Sequence, residues 1–401
     1  MALPIRSLTP APPDPILGLT ETFRADTRPN KVNLAVGVYV DDSGVTPVIP
    51  SVLEAERRLL EKAGSKGYLP IDGRPGYKKA VRDLIFGADH EIVESGRSAT
   101  AQTPGGTGAL RVAADFLLQT GSSKTIWLSE PTWPNHPQLF TLAGFSLRTY
   151  PYLDESGRSV DVGKMLGALR SAVPGDVVLL HGSCHNPSGV DPDAETWAAI
   201  AEIITQRELV PVIDFAYQGF GFGLREDADW LVGLARPGLE FLICSSFSKN
   251  FALYNERVGA LTIVAANAAR ASSALTHLKI AIRSNYSNPP AHGGDIVETI
   301  LTDAALKSQW EVDLAGMRNR ILGNRAALVK AFAEAGVPGN WEPIARQRGM
   351  FALLGLSTEQ VARLRDEFAV YVVGKGRINV AGLTPANIDH VVAAVKAVVE
   401  G

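Results

Sequence analysis

The sequence predicts an α/β fold in which a mainly parallel sheet is covered by helices on both faces and followed by a smaller α+β unit. Three observations carry this. From about residue 100 to 282, strand-like runs alternate with helix-like segments, the pattern of successive βα units. Runs such as Val177-Val178-Leu179-Leu180 are apolar at consecutive positions, as strands covered on both faces require. Past residue 304 the pattern changes to one long amphipathic helix and then to short strands and helices.

Taken in order, Pro4, Pro10, Pro12, Pro13 and Pro15 exclude a helix or central strand at the start and leave a tail or an extended arm. Asp14-Pro15 opens a helical pattern through Ile16, Leu19 and Phe23. Residues 32–39 read as a strand broken by Gly37, which either makes a bulge or lets backbone approach a ligand. Helices are expected at 51–64 and, after a loop stiffened by proline and glycine, at 75–86, with Pro75 at N1. Helices at 107–119, 161–172, 194–207 and 265–282 then alternate with strands at 125–129, 146–150, 176–181, 209–214, 240–245 and 259–264. The C-terminal unit reads as helix 304–335, strand 350–356, helix 358–368 and strands 370–373 and 377–380. A last helix is expected to open at Thr384-Pro385.

The composition is that of an ordinary globular chain: 401 residues, 46% hydrophobic and 20% charged, enough for more than one domain. A formal net charge of -3 and scattered Lys and Arg argue against nucleic acid or an anionic membrane as partner. No apolar run approaches the ~20 residues of a membrane helix. The start lacks a basic segment followed by an apolar one, so the expected compartment is the cytoplasm. Cys184 and Cys244 lie in or beside apolar runs and read as buried thiols in a reducing compartment; no metal-type spacing exists.

The chemistry centres on the stretch from Phe241 to Gly259. A buried-strand pattern ends in Ser245-Ser246-Phe247-Ser248-Lys249, with Arg257 eight positions beyond the lysine. An amine held at such a strand mouth loses hydration, its pKa falls, and it becomes a nucleophile toward carbonyls. Serines and an arginine on one short segment suit a phosphate. Together they point to pyridoxal 5'-phosphate held as a Schiff base, against the alternative of a solvated lysine after a serine-rich turn.

Other segments add to this only in combination. Thr103-Pro104-Gly105-Gly106-Thr107-Gly108 enters a helix, a phosphate-binding geometry, yet matches neither a P-loop nor G-x-G-x-x-G. Asp214 ends a buried strand with Tyr217 three positions on. It either caps the next loop or holds a pyridine nitrogen protonated, with Tyr217 donating to the ring's 3-oxygen. Asn186, in His185-Asn186-Pro187-Ser188-Gly189, bonds its own turn or points into the crevice. Trp133 is a core plug or a stacking plate for a flat ring. Arg377 and Arg283 either clamp carboxylates or sit as snorkelling and surface side chains.

In order along the chain, Thr103–Arg111, Trp133-Pro134-Asn135-His136, Cys184-His185-Asn186-Pro187, Asp214-Phe215-Ala216-Tyr217, Ser248-Lys249-Asn250-Phe251 and Tyr286-Ser287-Asn288-Pro289-Pro290 resemble fold-type I pyridoxal-phosphate enzymes. More narrowly they resemble the aspartate and aromatic aminotransferases, from Asp14 to the C-terminus. The resemblance implies a seven-stranded large domain over 46–310, and a small domain from 1–45 with 311–401. It implies Lys249 as Schiff-base lysine and proton shuttle, Asp214 on the pyridine nitrogen supported by His136, and Tyr217 on the 3-oxygen. Gly106, Thr107, Ser246 and Arg257 would hold the phosphate, with Tyr68 from a neighbouring subunit, and Trp133 would stack on the ring. Arg377, Asn186 and the Gly37 backbone would take the substrate α-carboxylate. Arg283, also from the neighbour, would take the distal one, which makes a homodimer the expected assembly. No metal is implied. Thr46, Thr107 and Asn288 fit the aspartate type. Val40 and Gly67 stand where that type often carries polar groups, which leaves an aromatic or broad-range aminotransferase as the alternative. A β-lyase or decarboxylase, a non-catalytic pocket protein and, weakest, a nicotinamide dehydrogenase are the further alternatives.

Overall fold

The computed structural model describes residues 8–10, 17–236 and 238–401. Most of the proline-rich start, including the helix opening expected at Asp14-Pro15, lies outside the described residues; the helix is described from Leu17 to Ala25. Eleven strands occur among the described residues: β1 (Val32–Asn33), β2 (Ser98–Pro104), β3 (Thr125–Glu130), β4 (Ser146–Pro151), β5 (Val177–His181), β6 (Val210–Phe215), β7 (Phe241–Ser246), β8 (Val258–Val264), β9 (Phe351–Leu353), β10 (Val370–Tyr371) and β11 (Arg377–Asn379).

Seven of them form one sheet in the order β2-β8-β7-β6-β5-β3-β4. All neighbours pair in parallel except β8, which runs antiparallel to both β7 and β2. The expected α/β class is therefore observed, with one reversed strand. Every residue of β5, β7 and β8 is buried, which is why these runs show no polar alternation. Each large aliphatic or aromatic side chain so buried contributes roughly 1.5–3 kcal/mol before chain entropy is counted.

The sheet's direction decides where the site falls. In register, His181 lies opposite Asp214, Asp214 opposite Cys244, and Ser246 opposite Gly259, so the C-terminal ends of β5, β6 and β7 coincide. Because β8 is reversed, its first residues, preceded by Arg257, arrive at the same end. Strand β2 pairs Thr103 with Gly259 and delivers the glycine-rich turn there as well.

The other strands make two small sheets, β1 parallel with β10 and β9 antiparallel with β11. β10 packs on the helix Thr358–Phe368, and β9 is tied to the helix Ala304–Ala335, which runs unbroken for 32 residues, by the bond from Arg325 to the Phe351 carbonyl. The strand read over 32–39 is thus two residues long; Leu34 still bonds Tyr371 and Asn379 through its backbone, and further on the Val36 and Val38 carbonyls accept from the Asn379 side chain. The last helix begins at Ile388, not at Thr384-Pro385. The Asn387 side chain accepts the Thr384 N–H and ties those residues into a turn.

Candidate active site

At the shared strand ends lies a cavity of about 200 Å³. Of the residues singled out in the sequence, Gly106, Thr107, Trp133, Asn186, Asp214, Tyr217, Ser246, Lys249 and Arg257 line it. His181, Ser183 and Ser248 line it too. Ser248 belongs to the serine run already read as suiting a phosphate; His181 and Ser183 gave no separate signal, since a histidine or serine in a turn after a strand has many uses.

One wall is a cradle for an anion. The helix Gly105–Gln119 starts without a side-chain cap, so its first N–H groups are free to bind a negative group. Gly105 has φ +74, and a Cβ there would collide with the Arg257 guanidinium. A Cβ on Gly106 would lie 3.0 Å from the Ser246 Cβ. Arg257 is held by a 3.2 Å bond to the Ser248 hydroxyl and a 3.0 Å bond to the Tyr254 carbonyl.

Lys249 faces the cavity from the turn after β7, its amine 5.1 Å from the Tyr217 ring centroid. Burial lowers its pKa to about 8, against the opposing pull of Asp214 and with help from Arg257 and Arg377. Burial also pushes the Tyr217 hydroxyl up, with the Asp214 charge adding to it, so it stays a donor.

Asp214 sits at the end of β6. Burial works against its charge, but a 3.0 Å hydrogen bond from His136 and the electrostatic pull of His136, His181 and Lys249 around it outweigh that and keep its pKa below the ordinary value. A carboxylate only accepts, which fixes a chain of donors. His136 Nε2–H donates to Asp214, leaving Nδ1 to accept from the Thr132 hydroxyl at 2.8 Å. Thr132 in turn accepts from His181 Nε2–H at 3.4 Å, and His181 Nδ1 accepts the Asn186 N–H at 3.2 Å. Burial, then the nearby His136 ring, drops His181 to about 3, so it is neutral as this chain requires.

Arg377 does not line this cavity directly but joins it through Asn186. Its Nη1 donates to Asn186 Oδ1 at 3.3 Å and its Nη2 to the Ala35 carbonyl at 2.6 Å, while Nε has no partner. The guanidinium stands 4.4 Å over the Phe351 ring. Gly37 packs against the edge of that ring, where a Cβ would lie 2.6 Å from Phe351 Cζ. A buried arginine with a spare N–H and no carboxylate among its bonded partners suits an anion. Tyr68 is 96% exposed and Arg283 is exposed, bonded to Ser287; within one chain neither reaches the cavity.

The family profile for aminotransferase class I and II matches residues 29–395. The chain is 49% identical over 392 residues to an aspartate aminotransferase of Escherichia coli K12, covering 98% of this chain and 99% of that protein. It is 45% identical over 386 residues to an aromatic-amino-acid aminotransferase of the same organism, covering 96% and 97%. Among solved structures, an aromatic-amino-acid aminotransferase from Burkholderia pseudomallei covalently bound to pyridoxal phosphate superposes with a TM-score of 0.96. It has 46% identity and covers 100% of both chains.

Proposed function

The chain belongs to the class I and II aminotransferases, and from that premise we propose that it exchanges the amino group between L-aspartate and 2-oxoglutarate. It is an enzyme of fold-type I, and its cofactor is pyridoxal 5'-phosphate. The observation that carries the reading is the meeting, in one cavity, of a depressed-pKa lysine, a buried anionic aspartate and an uncapped glycine-rich helix start.

The residues present fit that cofactor. The Gly105–Thr107 turn, Ser246, Ser248 and Arg257 suit its phosphate, Asp214 its ring nitrogen, Tyr217 its 3-oxygen and Trp133 a ring face. When bound, it supplies an aldehyde for the substrate amine and an electron sink for the Cα carbanion. The protein does the rest. Lys249 is the amine that holds the aldehyde and then, once displaced, takes the Cα proton and returns it as general base and acid. Asp214, locked by His136, keeps a positive charge on the atom it faces. Arg377 and Asn186 fix the α-carboxylate, so that the Cα–H bond points at Lys249.

We assign residues 46–310 to the cofactor-holding domain and 1–45 with 311–401 to the smaller one. The working unit is a homodimer in the cytoplasm, in which Tyr68 and Arg283 complete the neighbour's site; their exposure in a single chain supports this. Arg283 grips the distal carboxylate. Arg283→Leu is expected to lower kcat/KM for aspartate by roughly 2–5 kcal/mol of transition-state binding while sparing phenylalanine. Equal kcat/KM for aspartate in variant and wild type refutes that role. A second reading, aromatic or broad-range exchange, draws on Val40 and Gly67, which bring no polar side chain to the entrance. Initial rates with aspartate, phenylalanine and tyrosine, 2-oxoglutarate as acceptor, decide between the two.

The lysine also sets a pH dependence for the cofactor-free protein. Its folded pKa, about 8, lies below its ordinary 10.5. Below 8 the amine is charged in both states and the burial penalty stands in full. Between the two values the unfolded chain binds more protons, so stability rises with pH, by roughly 3 kcal/mol over the window. Urea midpoints at pH 7.5 and 10 are expected to show this gain in the wild type and lose it in Lys249→Met. Parallel behaviour of the two proteins contradicts it.

A further inference from the structure

Arg325, in the helix Ala304–Ala335, is 0% exposed and has no carboxylate among its bonded partners. Burying a guanidinium without an anion is costly unless its donors meet well-placed acceptors. Here they meet backbone. Nη2 donates to the carbonyls of Phe351 at 2.6 Å, Gly349 at 2.7 Å and Arg348 at 3.2 Å; Nη1 reaches the Ile344 carbonyl and the Gln347 side chain. Burial brings its pKa down to about 9, so it remains charged at neutral pH. A planar fork with five donors suits several neighbouring carbonyls at once.

Those carbonyls belong to the run that carries Phe351, and the Phe351 ring is the plate under Arg377. The loop bearing Asn186 lies on the same cluster. Gly189 accepts the Arg348 N–H at 2.8 Å, and a Cβ at Gly189 would lie 2.5 Å from the Phe351 carbonyl oxygen and 3.1 Å from Arg325 Nη2. One buried cation thus touches the supports of both groups assigned to the α-carboxylate, Arg377 on β11 and Asn186 after β5.

We propose that Arg325 is a positioning residue for the α-carboxylate clamp: it gathers the Arg348, Gly349 and Phe351 carbonyls so that Phe351 and the 185–190 loop hold Arg377 and Asn186 in register. The proposal rests on the aminotransferase reading above. Its test uses the cofactor-loaded enzyme and succinate, a dicarboxylate without an amino group, so that binding is measured without chemistry. In Arg325→Met the Kd for succinate is expected to rise tenfold or more, the KM for aspartate and for 2-oxoglutarate to rise together, and the Kd for the cofactor to stay within twofold. In an Arg377→Leu background the same change is expected to add little further loss, because the clamp it supports is already gone. Succinate affinity equal to wild type, an equal loss of cofactor affinity, or full additivity with Arg377→Leu overturns it. Should Arg325→Met fail to fold, Arg325→Lys, which keeps the charge but not the fork, is expected to show the same split in smaller measure, and wild-type behaviour of that variant overturns the proposal. A wild-type enzyme that exchanges no amino groups would instead refute the function proposed above.

Discussion

Lys249→Ala is expected to reduce amino-group exchange by about 10⁴-fold or more, and to leave no borohydride-fixed cofactor at position 249. Two tasks fall on one amine. In the mechanism proposed above it holds the cofactor's aldehyde as nucleophile and moves the Cα proton as general base, a contribution at the upper end of the 10²–10⁴ range for positioned proton transfer. Nothing near it can take over. Tyr217 is pushed above its ordinary pKa and is a donor at neutral pH, and His181 is neutral, at about 3, with both ring nitrogens already bonded. The cradle for the phosphate does not involve the amine, so the variant should still bind the cofactor, reversibly, with its aldehyde free. Peptide mapping after reduction reads the covalent link, and single-turnover absorbance reads the proton transfer. Residual exchange within a hundredfold of wild type, or a label retained in another peptide, would remove Lys249 from the mechanism.

Much of this architecture could be read along the chain because its strands are doubly covered. The apolar runs at β5, β6, β7 and β8 have no other use; Asp214 stands where β6 stops, and Ser246 and Lys249 where β7 does. Strand β2 escaped notice for the opposite reason. Its sequence, Ser-Ala-Thr-Ala-Gln-Thr-Pro, is polar, yet its interior is buried because Thr100 bonds Thr262 across the pair at 2.9 Å and the Gln102 side chain donates to the Pro290 carbonyl. Hydrophobic periodicity does not register a core satisfied by hydrogen bonds. The long helix hid Arg325 in the same way: an arginine among other charged residues reads as solvated until packing shows carbonyls around it. Phe351 is likewise one apolar residue in an apolar strand, and its contact with both Gly37 and Arg377 exists only in three dimensions.

Asp214→Asn tests the other half of the chemistry. The substitution keeps the shape of the side chain, and its amide oxygen still accepts the His136 Nε2–H now bonded at 3.0 Å. Its amide nitrogen must then face the cavity as a donor, where the aspartate presents an acceptor with a negative charge. A ring nitrogen opposite a donor gains nothing from being protonated, and the electron sink weakens. Removing a preorganised charge from a buried site typically costs a few kcal/mol, so kcat is expected to fall by about 10²–10³-fold, or roughly 3–4 kcal/mol, with KM for aspartate little changed. Because Asp214 is held below its ordinary pKa, it also contributes stability that is present above the unfolded value near 3.9 and lost as pH falls through the folded one. The variant lacks that contribution, so wild type should lose more stability than Asp214→Asn between about pH 5 and pH 2. A kcat within threefold of wild type would mean that Asp214 shapes the pocket without polarising what it holds.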